Sequence, residues 1–163
     1  MAFRRLPMLA VASVVLAILL SLQTLGVTGI RRRLNFQTLA FGFYSSHVEP
    51  GYYVVNTQKE WEHVWMKHTH TAAQSNPPQV DFSKYTVIAV FMGQYSTGGC
   101  KIRVREIIDT GLSVIVRVER THPGKGCIVI EALTQPYHIV MVEKISKPVI
   151  FSTYVIVNEC KRT

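Results

Sequence analysis

The sequence predicts an α+β domain: an antiparallel, curled sheet or partly closed barrel of about seven strands, one packed amphipathic helix, and an N-terminal transmembrane helix ahead of them. Three observations carry this reading. Residues 6–30 contain no charged side chain. One segment, from Thr57 to His70, spaces its large apolar residues at helical intervals. The remaining apolar runs are short, rich in Val and Ile, and separated by Gly, Pro and Asp turns.

The uncharged stretch LPMLAVASVVLAILLSLQTLGVTGI is long enough, at about 1.5 Å per residue, to cross a hydrocarbon layer of about 30 Å. Residues 1–30 are therefore expected to be a membrane anchor or an export signal. The Leu- and Val-rich part from Leu9 to Leu22 has the length of a signal core, but the candidate cleavage positions near Gly26 and Gly29 are poor. No Cys follows the apolar run, which excludes a lipidated cysteine at that point. Arg4 and Arg5 face Arg31, Arg32 and Arg33 across the span, so the positive-inside rule is nearly balanced. Position at the N-terminus, and three cysteines, favour a C-terminal domain outside the cytoplasm, with secretion after signal cleavage as the alternative.

Those five arginines also account for much of the net charge of +8. The remaining 13 Lys and Arg face 10 Asp and Glu, a balance too mild for a nucleic-acid partner. Residues 31–50 are read as a juxtamembrane segment, flanking the span or lying among lipid phosphates, with a possible first strand at 39–43. The domain proper is expected over 51–163.

Within it, the run GYYVV at 51–55 follows Pro50 and favours a strand. Thr57 and Glu60 form a capping box. Trp61, Val64, Trp65 and His68 then share one face, which predicts a helix from Gln58 to about His70 packed on a sheet. Asn76, Pro77 and Pro78 open a loop. The nearly continuous apolar run at 85–92 reads as a central strand buried on both faces.

A hairpin follows. Ile102, Val104 and Ile108 alternate with Lys101, Arg103 and Arg105, and Leu112, Val114, Val116 and Val118 alternate with Ser113, Arg117 and Glu119. A three-residue loop of Asp109, Thr110 and Gly111 keeps apolar opposite apolar, setting Ile108 against Leu112 and Val104 against Val116. It also sets Lys101 against Glu119 and leaves one misfit, Glu106 on the apolar face, which calls for a bulge or a sheet edge. Further strands are expected at 127–133, 138–144 and 149–157.

Cys100 and Cys127 both begin predicted strands at the end of the hairpin away from its turn, and they are the candidate disulfide. A flat sheet would hold them about 9–10 Å apart, so curl or the 120–126 loop must close the gap. Pairing of either with Cys160, and free thiols, remain open. Gly98 and Gly99 are read as backbone devices at the hairpin entrance. The loop Gln94, Tyr95, Ser96, Thr97, Gly98 and Gly99 is a candidate recognition loop. Lys101, Arg103, Arg105 and Arg117 form a candidate basic face, either solvated or a dock for an acidic partner. The histidines lack metal-ligand spacing, and no nucleophile motif stands out, so no catalytic, cofactor or metal residue is expected.

Several stretches resemble the C-terminal domain of the PrcB family: YVVNTQKEW at 53–61 with Trp65 after it, Val80-Asp81-Phe82, Gly93, STGG at 96–99, and TQPYHIV at 134–140. The resemblance spans roughly residues 51–148. It implies an exported, often membrane-tethered domain without known catalysis, whose name-giving member is associated with stabilising an exported serine protease complex. Two departures are Cys100, where the family commonly has an aromatic residue, and the apolar span in place of a lipoprotein signal.

The expectation is thus a membrane-tethered extracytoplasmic protein-binding domain, membrane-attached through residues 6–30, with an exported protease as the preferred partner class. A hydrolase using the 94–100 loop and a purely structural envelope protein are the alternatives.

Overall fold

The computed structural model describes residues 31–69 and 76–160. The apolar segment 6–30 lies outside them. Among the described residues no helix is long and apolar enough to cross a membrane.

Among the described residues, eight strands form two four-stranded sheets, and one helix covers one of them. The strands are β1 (Arg32–Leu34), β2 (Phe36–Gly42), β3 (Gly51–Val55), β4 (Tyr85–Phe91), β5 (Lys101–Asp109), β6 (Val114–Pro123), β7 (Tyr137–Glu143) and β8 (Val149–Asn158); the helix, α1, is Gln58–Thr69. Sheet A has the order β1-β5-β6-β8, and sheet B the order β2-β7-β4-β3. The chain leaves sheet A and enters sheet B across Asn35, so β1 and β2 form a corner between the sheets. Among the described residues no barrel closes; the predicted curled sheet is two packed layers joined at this corner.

Strand formation starts earlier than position 39. Arg32 and Arg33, read from sequence as a membrane flank, lie in β1, where Arg32 ion-pairs with Glu143 and Arg33 with Glu106. The folded unit therefore begins ahead of residue 51.

Side chains of Ile88, Val90, Met92, Ile102, Val104, Ile107, Val116, Val118, Val140 and Val142 fill the space between the sheets. The other face of sheet B packs Val87, Ala89, Phe91 and Ile139 against Trp61 and Val64 of α1. β4 is thus buried on both faces, as its continuous apolar run predicts. α1 begins as expected: Glu60 N–H donates to Thr57 Oγ1 at 3.3 Å, and Glu60 Oε2 accepts from Asn56 N–H at 2.9 Å. Trp61 is fully buried and its Nε1–H donates to the Pro78 carbonyl at 2.9 Å.

Three expectations change. The hairpin connection is Thr110 to Ser113, so Asp109 pairs with Val114, Ile108 with Ile115 rather than Leu112, and Ile107, rather than Val104, lies opposite Val116. A bulge at Arg105 then shifts the register by one, so that Val104 pairs with Val118. This resolves the Glu106 misfit: the extra residue turns Glu106 out to Arg33 and Arg117 and returns Ile107 to the core.

The sheet is not wholly antiparallel. β8 pairs with β6 in parallel, because the chain crosses to β7 in sheet B before returning, and two reversals restore the direction of β6.

Residues 127–133 form no strand. Their apolar, β-branched composition favours extension, but β8 occupies the neighbouring edge of β6. The segment instead lies over the 94–99 loop, touching it through Gly98 N–H to the Ile130 carbonyl at 2.9 Å and a bridge between Tyr95 and Thr134.

Candidate functional site

The 94–99 loop is built by its glycines and its neighbours. Gly93 turns the chain with φ +85°, and Gln94 N–H donates to the Val48 carbonyl at 2.8 Å. Tyr95 and Thr134 exchange backbone bonds of 2.8 and 2.9 Å, and Thr134 Oγ1 donates to the Thr97 carbonyl at 2.9 Å. A Cβ on Gly98 would stand 2.7 Å from Ile130 Cγ1, so the Ile130 side chain packs directly over Gly98 and would have to move for any larger residue there. Gly99 has φ +88° and delivers the chain into β5. The predicted recognition loop is therefore half of a two-segment surface, with residues 127–135 as the other half.

The second half carries exposed apolar side chains. Ile128 is fully exposed, Ile130 is 65% exposed and Leu133 is 59% exposed. These residues, expected in a strand at 127–133, lie instead on the surface, because β8 holds the edge of β6 beside them.

Cys127 is fixed by a disulfide, but its partner is Cys160, at a Cα separation of 5.1 Å. The Cys100–Cys127 pairing is corrected for two reasons. Gly124 N–H bonds the Asn158 carbonyl at 2.8 Å, which brings the 124–127 turn to the end of β8 and so to Cys160. Cys100 meanwhile points into the core between the sheets. Its thiol remains free, with Sγ 3.8 Å from His122 Nδ1. Burial raises the Cys100 thiol pKa, and burial followed by Arg120 lowers that of His122, so both groups are held neutral. Tyr95 packs beside this pair, its ring at an edge-to-face angle to His122 and its hydroxyl accepting from Arg120 Nη2 at 2.9 Å.

The predicted basic face is internally paired. Arg105 Nε donates to Glu119 Oε2 at 2.8 Å, and Arg117 Nη1 to Glu106 Oε2 at 3.2 Å. The Arg103 guanidinium lies 4.7 Å from the centre of the Phe41 ring. Lys101 is half-buried opposite Thr121 rather than Glu119. Glu119, itself buried, also accepts from Tyr154 Oη at 3.2 Å.

A separate groove of about 530 Å³ runs between α1 and the β2–β3 connection, lined by Ser45, Trp65, His68, Gln135 and Tyr137 among others. His68 Nδ1 is 2.9 Å from Ser45 Oγ. Beneath it, His47 stacks on Phe91 at 3.7 Å between ring centres. Burial lowers the pKa of His68 to about 4; burial, then Lys67 and His68, lower that of His47 to about 4. Only the helical phase of His68, shared with two tryptophans, signalled this cluster in the sequence. Among the described residues no group of His, Cys, Asp or Glu is arranged to hold a metal ion.

The family model described as PrcB C-terminal matches residues 86–143, which agrees with the family that the sequence motifs resemble. The matched region contains both halves of the surface formed by 94–99 and 127–135. No curated protein and no solved structure matches the chain.

Proposed function

We propose that this chain is a membrane-tethered protein-binding domain displayed outside the cytoplasm, and that its partner contact is the surface formed by residues 94–99 and 127–135. The observation that carries the reading is the placement of three large exposed aliphatic side chains, Ile128, Ile130 and Leu133, on a segment fixed by a disulfide and by backbone bonds to a second loop. Apolar side chains exposed together on an ordered segment mark an interaction site, and fixing them in advance lowers the entropy lost on binding.

Position supports it. Arg32, the entry from the apolar N-terminal segment, pairs with Asp109 at one end of β5; the surface adjoins Gly99 and Pro123 at the other. Nine residues of β5 separate the ends by roughly 26 Å. The tether thus leaves this surface free. The PrcB match points to a subunit of a protease complex as the partner class, and we take the role to be stabilising or regulatory, without catalysis by this chain.

The test is affinity capture of the full chain from detergent-solubilised membranes, followed by a fluorophosphonate probe that labels serine hydrolases. Wild type should retain a labelled protease, and the double variant Ile128→Asp with Leu133→Asp should lose it while melting at the same temperature. Equal retention by both forms would remove this surface from the account. Loss of exported-domain labelling by an impermeant reagent on intact cells would remove the topology.

A further inference from the structure

From the free edge of sheet A we infer that two copies of this chain pair through β8, antiparallel and centred on Thr153, to make one continuous eight-stranded sheet. The inference is independent of the partner surface above. β8 is the terminal strand of sheet A and runs for ten residues without a charge or a proline. Long apolar edges of this kind are templates for another strand, and proteins commonly blunt them with Lys, Pro or a bulge. None of those devices is present between Val149 and Asn158.

The backbone phase of the edge can be read directly. The Pro148 carbonyl accepts from Val114 N–H, and the Asn158 carbonyl from Gly124 N–H, so both point toward β6 and its continuation. By the alternation of a strand, Val149, Phe151, Thr153, Val155 and Val157 turn their N–H and C=O groups to the open edge. An antiparallel partner must therefore meet odd residues with odd residues. Centring on Thr153 does so and sets Val149 opposite Val157, Phe151 opposite Val155, and Thr153 opposite itself. On the other face it sets Ile150 opposite Ile156 and Ser152 opposite Tyr154.

The sequence VIFSTYVIV is thus nearly palindromic in size and polarity about Thr153. Centring on Tyr154 instead opposes Ile150 to Asn158, so apolar matching selects Thr153. The side chains available for burial are exposed in the single chain: Ile150 by 53%, and Val155 and Val157 by 57% each.

The two-fold axis stands perpendicular to the sheet, which places the two Arg32 ends on opposite sides of the pair. Both N-terminal segments reach one bilayer when the paired sheet lies along it.

The experiment uses the full chain in detergent micelles and in native membranes. Thr153→Cys brings two sulfurs to the axis at the Cα separation of about 5.5 Å of a hydrogen-bonded pair, within disulfide reach. Oxidation should convert it to a covalent dimer, while Tyr154→Cys and wild type remain monomeric on non-reducing gels. Thr153→Lys removes no monomer contact, since Thr153 is exposed, and sets like charges across the axis. It should reduce the protein mass from twice to once the protomer's 18.4 kDa at an unchanged melting temperature. A wild-type protein mass of one protomer up to 100 µM, or equal cross-linking at 153 and 154, overturns the inference. Either result leaves protease capture through Ile128 and Leu133 untouched.

Discussion

The Val104 backbone N–H donates to Nδ1 of His138 at 3.0 Å, a bond between β5 of sheet A and β7 of sheet B. β1 pairs only with residues 107–109 of β5, so the near half of that strand has an open edge, and the imidazole serves as its partner. Because Nδ1 accepts, Nε2 carries the proton and donates to Thr38 Oγ1 at 2.9 Å. Burial, then the Arg103 charge, lower the pKa of His138 to about 4, and a second proton would set Nδ1–H against the Val104 N–H.

Stability should therefore fall in acid. His47, His68 and His138 have folded pKa values of about 4 against an ordinary 6.5, so the unfolded chain binds more protons between these values. Their contribution is fully present above pH 6.5, declines as pH drops, and is lost below about 4. Each imidazole contributes on the order of 1–2 kcal/mol. Melting temperatures measured from pH 7.5 to 4 should drop most steeply below 6, and His138→Asn, which keeps an acceptor near Val104, should flatten that slope.

Thiol counting separates the possible disulfides. The native chain should label at no cysteine, because Cys100 is buried and the other two are bonded. Unfolding without reductant should expose one thiol, and unfolding with reductant all three. A Cys100–Cys127 bond would instead leave the exposed Cys160 reactive in the native state. Cys160→Ser should cost about 3–4 kcal/mol, the chain entropy of a 33-residue closure.

The entrance to β5 should be intolerant of side chains. Gly99→Ala places a Cβ at φ +88° and 3.2 Å from Val129 Cγ1, so a loss of about 1–3 kcal/mol is expected in chemical denaturation. Gly111→Ala has the same backbone strain in open space and should cost about 1–2 kcal/mol. The difference between the two measures the packing of 127–135 on the loop.

The two glutamates under the arginines should differ. Glu119 is buried with Arg105 and Tyr154 on it, so Glu119→Gln should cost about 2–3 kcal/mol. Glu106, more exposed between Arg33 and Arg117, should lose under about 1 kcal/mol on the same change. Denaturant midpoints at low and high salt check both, with salt dependence confined to Glu106.

Legibility in the sequence followed locality. α1, its cap, and the doubly buried β4 depend on spacing within a few residues, and each was readable. The hairpin register was not, because the bulge at Arg105 compensates an altered turn, and only the misplaced Glu106 hinted at it. The parallel placement of β8 and the Cys127–Cys160 bond depend on a crossing between sheets, which no local pattern encodes. Residues 127–133 misled for a related reason: β-branched residues favour extension whether or not an edge is available, and here none was. Of the candidate surface, the loop was readable from its glycines and the apolar half was not.

The central claim is that residues 94–99 and 127–135 hold the partner. Photo-crosslinking from intact cells tests it most directly, with a benzophenone amino acid at Ile128 in one strain and at Leu112, exposed at the far turn, in another. The account predicts one defined adduct from position 128 that contains a fluorophosphonate-reactive protease and none from position 112. Adducts of equal yield from both positions, or from 112 alone, would contradict it.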